Sequence, residues 1–183
     1  MAQSIPARFR ISPSQHSRLA NRNPADLKLF PNRNKTEKQT ASDAAAIDAL
    51  QDRLYAERKR ALLVVLQGTD TGGKDGTIKH VFKECSPLGV NVTAFKKPSE
   101  DELAHDFLWR AHAAAPPRDF IGIFNRSHYE DVLIARVKKL APADEVEMRY
   151  EQINAFEKIL SENGTRIVKF MLHLSKKEQA KRL

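Results

Sequence analysis

Short runs of branched aliphatic residues alternate along this chain with longer stretches whose apolar positions recur at spacings of three and four. The short runs predict β-strands at residues 61–66, 90–95, 120–124 and 166–174, and the first run is apolar enough to be buried on both faces. The longer stretches predict helices at about residues 76–84, 99–115, 129–139 and 144–162. Strands and helices that alternate in this way predict an α/β fold with a parallel sheet and flanking crossover helices.

The first 60 residues follow a different pattern. Residues 1–41 contain many prolines and asparagines and no sustained apolar period, which predicts an irregular arm. Ser42 is a suitable N-cap for a helix that runs to about Lys59. The apolar stripe of this helix consists of Ile47, Leu50, Leu54 and Tyr55. We therefore divide the chain into an irregular basic N-terminal arm, residues 1–41, and one α/β domain, residues 42–183.

Composition places the chain among ordinary globular proteins, with 41% hydrophobic and 30% charged residues. The longest unbroken apolar run, residues 61–66, is far too short to cross a bilayer, and the start of the chain lacks the apolar core of a signal peptide. The single cysteine, Cys85, cannot form a disulfide framework within the chain. These features predict a cytoplasmic protein that has no membrane partner.

Net charge is +8, and residues 1–60 carry 12 Lys/Arg against 6 Asp/Glu. Such an imbalance fits either attraction to a polyanion or a solvated basic surface that aids solubility. Charge alone does not decide between these two interpretations.

A glycine-rich segment follows the first strand directly and fits the pattern G-x-x-x-x-G-K. Glycines let the backbone curl so that successive N–H groups point into one concavity, and the following helix adds positive charge at its N-terminus. This composition predicts a phosphate-binding loop. Its candidate phosphate-binding residues are Gly68, Thr71, Gly72, Gly73, Lys74, Asp75, Gly76 and Thr77.

Two carboxylates depart from the usual composition of such a loop. Asp75 stands where a Ser or Thr commonly ligates magnesium, and Asp70 lies inside the loop. Carboxylates beside a phosphate site would repel the phosphates unless a cation intervened, so we expect Mg²⁺ or Mn²⁺ with Asp70 as a ligand. Asp75 is either a second ligand or a charge that the helix dipole favours at a helix start.

The third strand ends in polar residues that should lie near the loop, because ligands bind beyond the carboxyl ends of parallel strands. Asn125 and Arg126 come first, and Arg126 is suited either to stabilise a transferring phosphoryl group or to form a structural salt bridge. Glu130 and Asp131 are candidates for metal ligands or for helix-start charges. His128 fits a structural, hydrogen-bonding role better than that of a base or metal ligand.

Lys79 and Lys83 are predicted to lie one turn apart on the helix after the loop. They could guide a long anion along that helix. Spacing alone equally fits a solvated basic face.

Three segments of the chain, together with its tail, resemble the second family of polyphosphate kinases: residues 63–77, 102–110, 124–133 and 169–179. The resemblance implies a kinase-like P-loop fold and metal-dependent phosphoryl transfer between inorganic polyphosphate and AMP, ADP or ATP. It implies catalytic roles for Asp70, Lys74 and Arg126, and it favours Lys79 and Lys83 as part of the polyphosphate path. It further implies a homo-oligomer and no nucleic-acid partner.

The resemblance also assigns an acceptor-nucleotide side to the site, formed by Asp106, Arg110 and Asn125. Asn125 stands where many members of that family carry Asp. At this position the sequence resembles the branch of the family that accepts AMP as well as ADP.

Members of that family continue beyond the fourth strand into a basic lid and a further strand, whereas this sequence stops at Leu183. We therefore expect a sheet that is incomplete on its C-terminal side and a chain that is weakly active or inactive. Two alternatives stay open at this point. One is an ATP-dependent P-loop kinase of a small metabolite or nucleotide, and the other is a non-catalytic polyanion-binding fragment.

Overall fold

Four parallel strands form the centre of the molecule in a computed structural model, which describes residues 9–12, 17–139 and 141–183. In chain order the strands are β1 (Ala61–Gly68), β2 (Val90–Ala94), β3 (Ile121–Asn125) and β4 (Thr165–Leu172). They are arranged in the order β2-β3-β1-β4, and every pair is parallel. The predicted parallel α/β sheet is confirmed.

Helices connect the strands and cover both faces of the sheet. They are α1 (Arg33–Glu57), α2 (Lys74–Val81), α3 (Glu100–Leu103), α4 (Trp109–Ala114), α5 (Glu130–Val137), α6 (Ala143–Glu162) and α7 (Lys176–Arg182). Short 3₁₀ turns lie at Leu19–Asn21 and Pro87–Gly89. None of the helices within the described ranges has the length and apolar character that a membrane span requires.

The start of α1 corrects the sequence prediction. The helix begins at Arg33, and the side chain of Asn32 accepts the cap hydrogen bond from the Lys35 N–H at 3.0 Å. Residues 33–41 are therefore helical, and Ser42 lies inside the helix. The first two turns are polar and exposed, so they carry no apolar period that could have revealed them. Residues 1–8 and 13–16 of the predicted arm lie outside the described residues.

The predicted apolar stripe of α1 is also wrong in part. Ala44 and Gln51 are the buried residues of this helix, whereas Leu50 and Tyr55 are exposed. Gln51 is covered because it packs over the backbone of Gly89, where an added Cβ would lie 1.8 Å from the Gln51 Nε2.

The helix predicted for residues 99–115 is divided in two. A capping box begins α3, since the Ser99 N–H donates to the Glu102 carboxylate at 2.8 Å and the Glu102 N–H donates to the Ser99 hydroxyl at 3.2 Å. After α3, Asp106 interrupts the helix because its carboxylate accepts from the Leu108 N–H at 2.9 Å. This local turn competes with the helical hydrogen-bond pattern.

Strand β1 separates two parts of the core. Leu63 and Val65 pack on one face with Phe124 and Phe156, and Val64 and Leu66 pack on the other with Ile123 and their neighbours. This strand is buried on both faces, as predicted. Since β1 and β3 are adjacent, with Leu66 in register with Asn125, their carboxyl ends meet at the same edge of the sheet.

Candidate active site

The loop between β1 and α2 has the curled backbone that its glycines predict. Thr71 and Gly73 have φ values of 61° and 87°, in the left-handed region. A Cβ on Gly72 would lie 2.7 Å from the Thr69 carbonyl oxygen, and a Cβ on Gly68 would lie 2.9 Å from that of Leu172. Gly68 and Gly72 are therefore needed for close backbone approach.

Lys74 begins α2 and is only 8% exposed. Its ammonium donates to the carbonyl oxygens of Gly68 and Thr69, both at 3.0 Å. The lysine thus folds back over the loop and places its positive charge beside the loop backbone. Thr77 donates its hydroxyl to the Gly73 carbonyl at 2.9 Å, which ties the first turn of the helix to the loop.

Thr71 Oγ1 is buried and has no hydrogen-bond partner among the described residues. A buried hydroxyl without a partner is unfavourable by about 1–3 kcal/mol, so an incoming acceptor at this point would be stabilised. This observation supports the interpretation of the loop as a site for anionic oxygens.

Arg126 lies beside the loop, as the strand order predicts. Its N–H donates to the Leu66 carbonyl at 3.0 Å, its φ is 60°, and its Nη2 donates to Asp70 Oδ1 at 2.5 Å. The two side chains are 40% and 72% exposed, respectively. An exposed ion pair of this kind contributes only about 0–1 kcal/mol, so it can open when a ligand offers better partners.

Asn125 and Asp75 connect the end of β3 with the first turn of α2. The Asn125 amide donates to the Asp75 carboxylate. Asp75 therefore lies at the same edge of the sheet as Asp70 and Arg126, and it is also a first-turn acid that the helix dipole favours.

A second group of predicted site residues is held by ion pairs and hydrogen bonds to other parts of the protein. Arg110 is 9% exposed, donates to Asp131 Oδ2 at 2.9 Å and to the Lys96 carbonyl at 3.0 Å, and lies over the Phe95 ring. Glu130 is 3.9 Å from the Arg126 guanidinium. Asp131 is thus engaged with an arginine, and Asp106 with a backbone N–H. Within the described ranges, no group of three or more His, Cys, Asp or Glu side chains could hold a metal ion.

The prediction that Lys79 and Lys83 lie one turn apart on the same helix is wrong. Helix α2 ends at Val81, with Phe82 as its C-cap, so only Lys79 lies on it. Phe82, like Ile78, packs against the core next to β1 and β3. Lys83 lies beyond the end and pairs with Glu84 at 3.0 Å.

A partly buried hydrogen-bond network behind Arg126 was not predicted from the sequence. Glu157 of α6 accepts hydrogen bonds from the Tyr129 hydroxyl at 2.8 Å and from Lys169 of β4 at 2.6 Å. His128 Nε2 lies 3.4 Å from the same carboxylate, which confirms the hydrogen-bonding role expected of His128. Lys169 offered the one available signal, because it interrupts the apolar run of the fourth strand.

The network perturbs the acid–base behaviour of its members. Burial alone would raise the pKa of Glu157, but the hydrogen bonds from His128, Lys169 and Tyr129 outweigh burial and lower this pKa to about 2. Burial opposes the charge of Lys169, yet its bonds to Glu157 and Tyr129 raise its pKa above the usual value. Glu157 and Lys169 are therefore an ionised pair at neutral pH.

Helix α7 lies against the loop, which sequence reasoning also missed. Gln179 Nε2 donates to the Asp70 carbonyl at 3.1 Å, and Arg182 Nη1 donates to the Thr71 carbonyl at 3.4 Å. Ser175 caps this helix, because its hydroxyl accepts from the Glu178 N–H at 3.1 Å. A shallow pocket between α2, the end of β4 and α7 is lined by Gly73, Thr77, His80, His173 and Arg182, among others.

Comparisons with known proteins relate this chain to a family of described function. Residues 31–183 match the family described as Polyphosphate kinase 2. The AMP/ADP-polyphosphate phosphotransferase of Meiothermus ruber is 46% identical over 181 residues, which cover 96% of this chain and 66% of that protein. The ADP-polyphosphate phosphotransferase of Rhodopseudomonas palustris is 48% identical over 145 residues, covering 73% of this chain and 50% of that protein.

A solved structure extends the similarity to three dimensions. The Polyphosphate Kinase 2 of Arthrobacter aurescens TC1 superposes with a TM-score of 0.90 at 43% identity, over 97% of this chain and 64% of that one. The chain thus spans about two thirds of the length of the Meiothermus and Arthrobacter proteins and half that of the Rhodopseudomonas protein.

Proposed function

The chain belongs to the polyphosphate kinase 2 family, and on that premise we propose that it transfers a phosphoryl group from inorganic polyphosphate to a nucleoside mono- or diphosphate. AMP or ADP would thereby become ADP or ATP. The names of its relatives, AMP/ADP-polyphosphate and ADP-polyphosphate phosphotransferase, support this donor and these acceptors.

One observation carries the proposal: Arg126, from the end of β3, reaches a phosphate-type loop that already holds Lys74. Charge in phosphoryl transfer is spread over the equatorial oxygens of the transferring group, so catalysis depends on positioned cations and amides. The loop amides and Lys74 would hold the phosphates. The Arg126 guanidinium would exchange Asp70 for the oxygens of the transferring group.

A divalent cation, Mg²⁺ or Mn²⁺, belongs to this proposal, and the residues present fit it. Asp70 is largely exposed at the loop, and Asp75 lies at the same edge of the sheet. Mg²⁺ commonly takes one or two carboxylates and completes its shell with phosphate oxygens and water, so no larger preformed ligand group is needed. When bound, the cation would neutralise charge on the phosphates. Asp70 would hold it, with Asp75 as the second candidate.

The part of the site that would bind the acceptor nucleotide is proposed to include Asn125, Arg110 and Asp106. Asn125 lies at the end of β3, and the resemblance of this position to the family branch that accepts AMP as well as ADP supports its place on the acceptor side. Arg110 is fully engaged with Asp131 and the Lys96 carbonyl, so it would act by holding the end of β2 in place.

The test supplies the purified chain with ADP or AMP, polyphosphate and Mg²⁺, without any other phosphoryl donor, and follows formation of ATP or ADP. We expect slow product formation, in line with the weak activity expected of this chain, and we expect Lys74→Ala to abolish it. Lys158→Ala, on the exposed surface of α6, is the matched control and should retain the rate of the unmodified chain.

Two results would contradict the proposal. Formation of product from ATP and a small metabolite without polyphosphate would favour an ATP-dependent kinase. Binding of polyphosphate with no turnover above that of Lys74→Ala would favour a binding fragment. A homo-oligomer and a cytoplasmic location stay predictions, and light scattering tests the first.

A further inference from the structure

Arg126 adopts a backbone conformation that its own sequence does not favour. Its φ of 60° lies in the left-handed region, where a residue with a side chain stays only if its neighbours hold it there. On one side it is held by the hydrogen bond from its N–H to the Leu66 carbonyl. The direction of the Arg126 guanidinium therefore also depends on the contacts that fix the residues after Arg126.

The residues after Arg126 are anchored inside the protein. Ser127 and His128 are fully buried. Ser127 Oγ accepts from Gln67 Nε2 at 2.8 Å and from the Tyr129 N–H at 3.2 Å. Arg126, whose side chain is partly exposed, thus immediately precedes two fully buried residues.

One carboxylate connects this turn to the rest of the fold. Glu157 accepts from the Tyr129 hydroxyl and lies next to His128, and it is held in turn by Lys169, which also donates to Tyr129 at 2.9 Å. These contacts join the turn to α6 and to β4, two elements that are far from it in sequence. Hydrogen bonds to a charged, largely buried group are among the stronger ones in a protein.

We propose that Glu157 is a positioning residue for phosphoryl transfer: by fixing His128 and Tyr129, it sets the backbone from which Arg126 reaches the phosphate loop. The inference rests on the proposed function, because it assigns Glu157 a role in that same site. Glu157 itself lies behind the turn, bonded to His128, Tyr129 and Lys169, so it acts through Arg126.

The test compares Glu157→Gln with Glu147→Gln in the polyphosphate-dependent assay. Glu147 lies on the same helix, and its exposed side chain pairs only with the exposed Arg136 among the described residues, so the second variant makes the same chemical change without touching the turn. We expect Glu157→Gln to lower kcat about tenfold or more, since small displacements of a catalytic group have effects of this size. The KM for ADP should change less than about twofold, because Arg126 acts on charge that develops in the transition state. Glu147→Gln should match the unmodified chain.

A double-mutant cycle separates positioning from general destabilisation. In an Arg126→Ala background, Glu157→Gln should have almost no further effect on kcat. An equal loss with and without Arg126, or no loss in the single variant, would overturn the inference. Should Glu157→Gln fail to fold, Tyr129→Phe removes the hydrogen bonds of the phenol to Glu157 and Lys169 but keeps the Glu157 carboxylate, and it should show the same dependence on Arg126, with a smaller loss.

A crystallographic readout keeps the inference independent of the assay. In Glu157→Gln we expect Arg126 to lose its left-handed φ or its contact with Asp70, and in Glu147→Gln to keep both. If the turn is unchanged in Glu157→Gln, the inference is wrong even where the proposed function holds. If the unmodified chain makes no product but the turn moves, the proposed function fails and the structural coupling stands.

Discussion

At the scale of single residues, two glycines of the phosphate loop region meet different surroundings. A Cβ on Gly72 would collide with the Thr69 carbonyl at 2.7 Å, whereas a Cβ on Gly76 would find nothing within 4 Å. The sequence pattern assigned both to the same phosphate site. Only the packing of the folded loop separates a glycine that the loop requires from one that α2 merely tolerates.

We therefore predict that alanine is harmful at position 72 and favourable at position 76. Gly72→Ala should distort the loop and weaken binding of tripolyphosphate at least tenfold, because the loop amides lose their common direction. Gly76→Ala should raise the free energy of unfolding by about 0.5–1 kcal/mol, since alanine is favoured over glycine inside a helix. Urea unfolding measures the stability, and calorimetric titration measures the binding. Equal stability changes in the two variants would contradict this distinction.

The lowered pKa of Glu157 predicts that the stability of the folded protein depends on pH. Its pKa is lowered to about 2 in the folded protein, below the usual carboxyl value of 4.5, so it stabilises the fold above pH 4.5 and this stabilisation is lost as pH falls toward 2. Glu157→Gln should remove about 1–3 kcal/mol at pH 6 and a smaller amount at pH 3, where part of the stabilisation is already lost.

The measurement is the free energy of unfolding in urea between pH 6 and pH 3. Other carboxylates titrate in the same range, so the comparison is with Glu147→Gln, whose pH profile should follow that of the unmodified chain. A loss that is independent of pH would indicate a packing defect in Glu157→Gln rather than loss of the charged network.

At the scale of elements, the strands could be predicted well and the helix boundaries less well. The four apolar runs identified the strands and their order of connection, because a strand buried in a parallel sheet has few polar positions. The two turns at the start of α1 and the break at Asp106 depend on side chains that bond to the backbone locally. Such bonds leave no trace in the hydrophobic period.

The same reasoning explains which parts of the site could be foreseen. The loop and Arg126 follow directly from a motif and a strand end. The partnership of Arg110 with Asp131, and of Glu157 with Lys169, joins residues that are 21 and 12 positions apart on different elements. No local pattern encodes these pairings, and they become visible only when the chain is packed.

The N-terminus of α1 offers a direct test at this scale. Asn32→Ala removes the cap bond to Lys35 and should lower the free energy of unfolding by about 1 kcal/mol. Ser42→Ala changes an exposed position inside the helix and should leave stability unchanged or raise it by a few tenths of a kcal/mol. The sequence pattern alone, which places the N-cap at Ser42, predicts the reverse: a larger loss of stability for Ser42→Ala than for Asn32→Ala. Thermal and urea unfolding of both variants distinguish the two outcomes.

At the scale of the whole molecule, the strand order determines where the site forms. Strands β1 and β3 are neighbours, so the loop after β1 and the residues after β3 share one edge of the sheet. Strand β4 pairs with β1 along its full length, from Ala61 with Thr165 to Gly68 with Leu172, and carries α7 to the same edge. Residues from distant parts of the chain therefore surround one loop.

Because the site is assembled from the whole fold, its ligand should stabilise the whole fold. Tripolyphosphate with Mg²⁺, at a concentration of about 100 times Kd, should raise the free energy of unfolding by about 2.7 kcal/mol. Lys74→Ala should abolish this gain, and Lys158→Ala should keep it. Differential scanning calorimetry with and without ligand provides the measurement. An increase that survives in Lys74→Ala would place the binding elsewhere.

The contacts between α7 and the loop have a consequence for how this site tolerates sequence change. Gln179 and Arg182 bond to the main-chain oxygens of Asp70 and Thr71, which every residue at those positions supplies. The side chains at positions 70 and 71 can therefore diverge among related enzymes without releasing the helix. In these two residues the peptide groups hold α7, which leaves the side chains available for the metal and phosphate contacts proposed above.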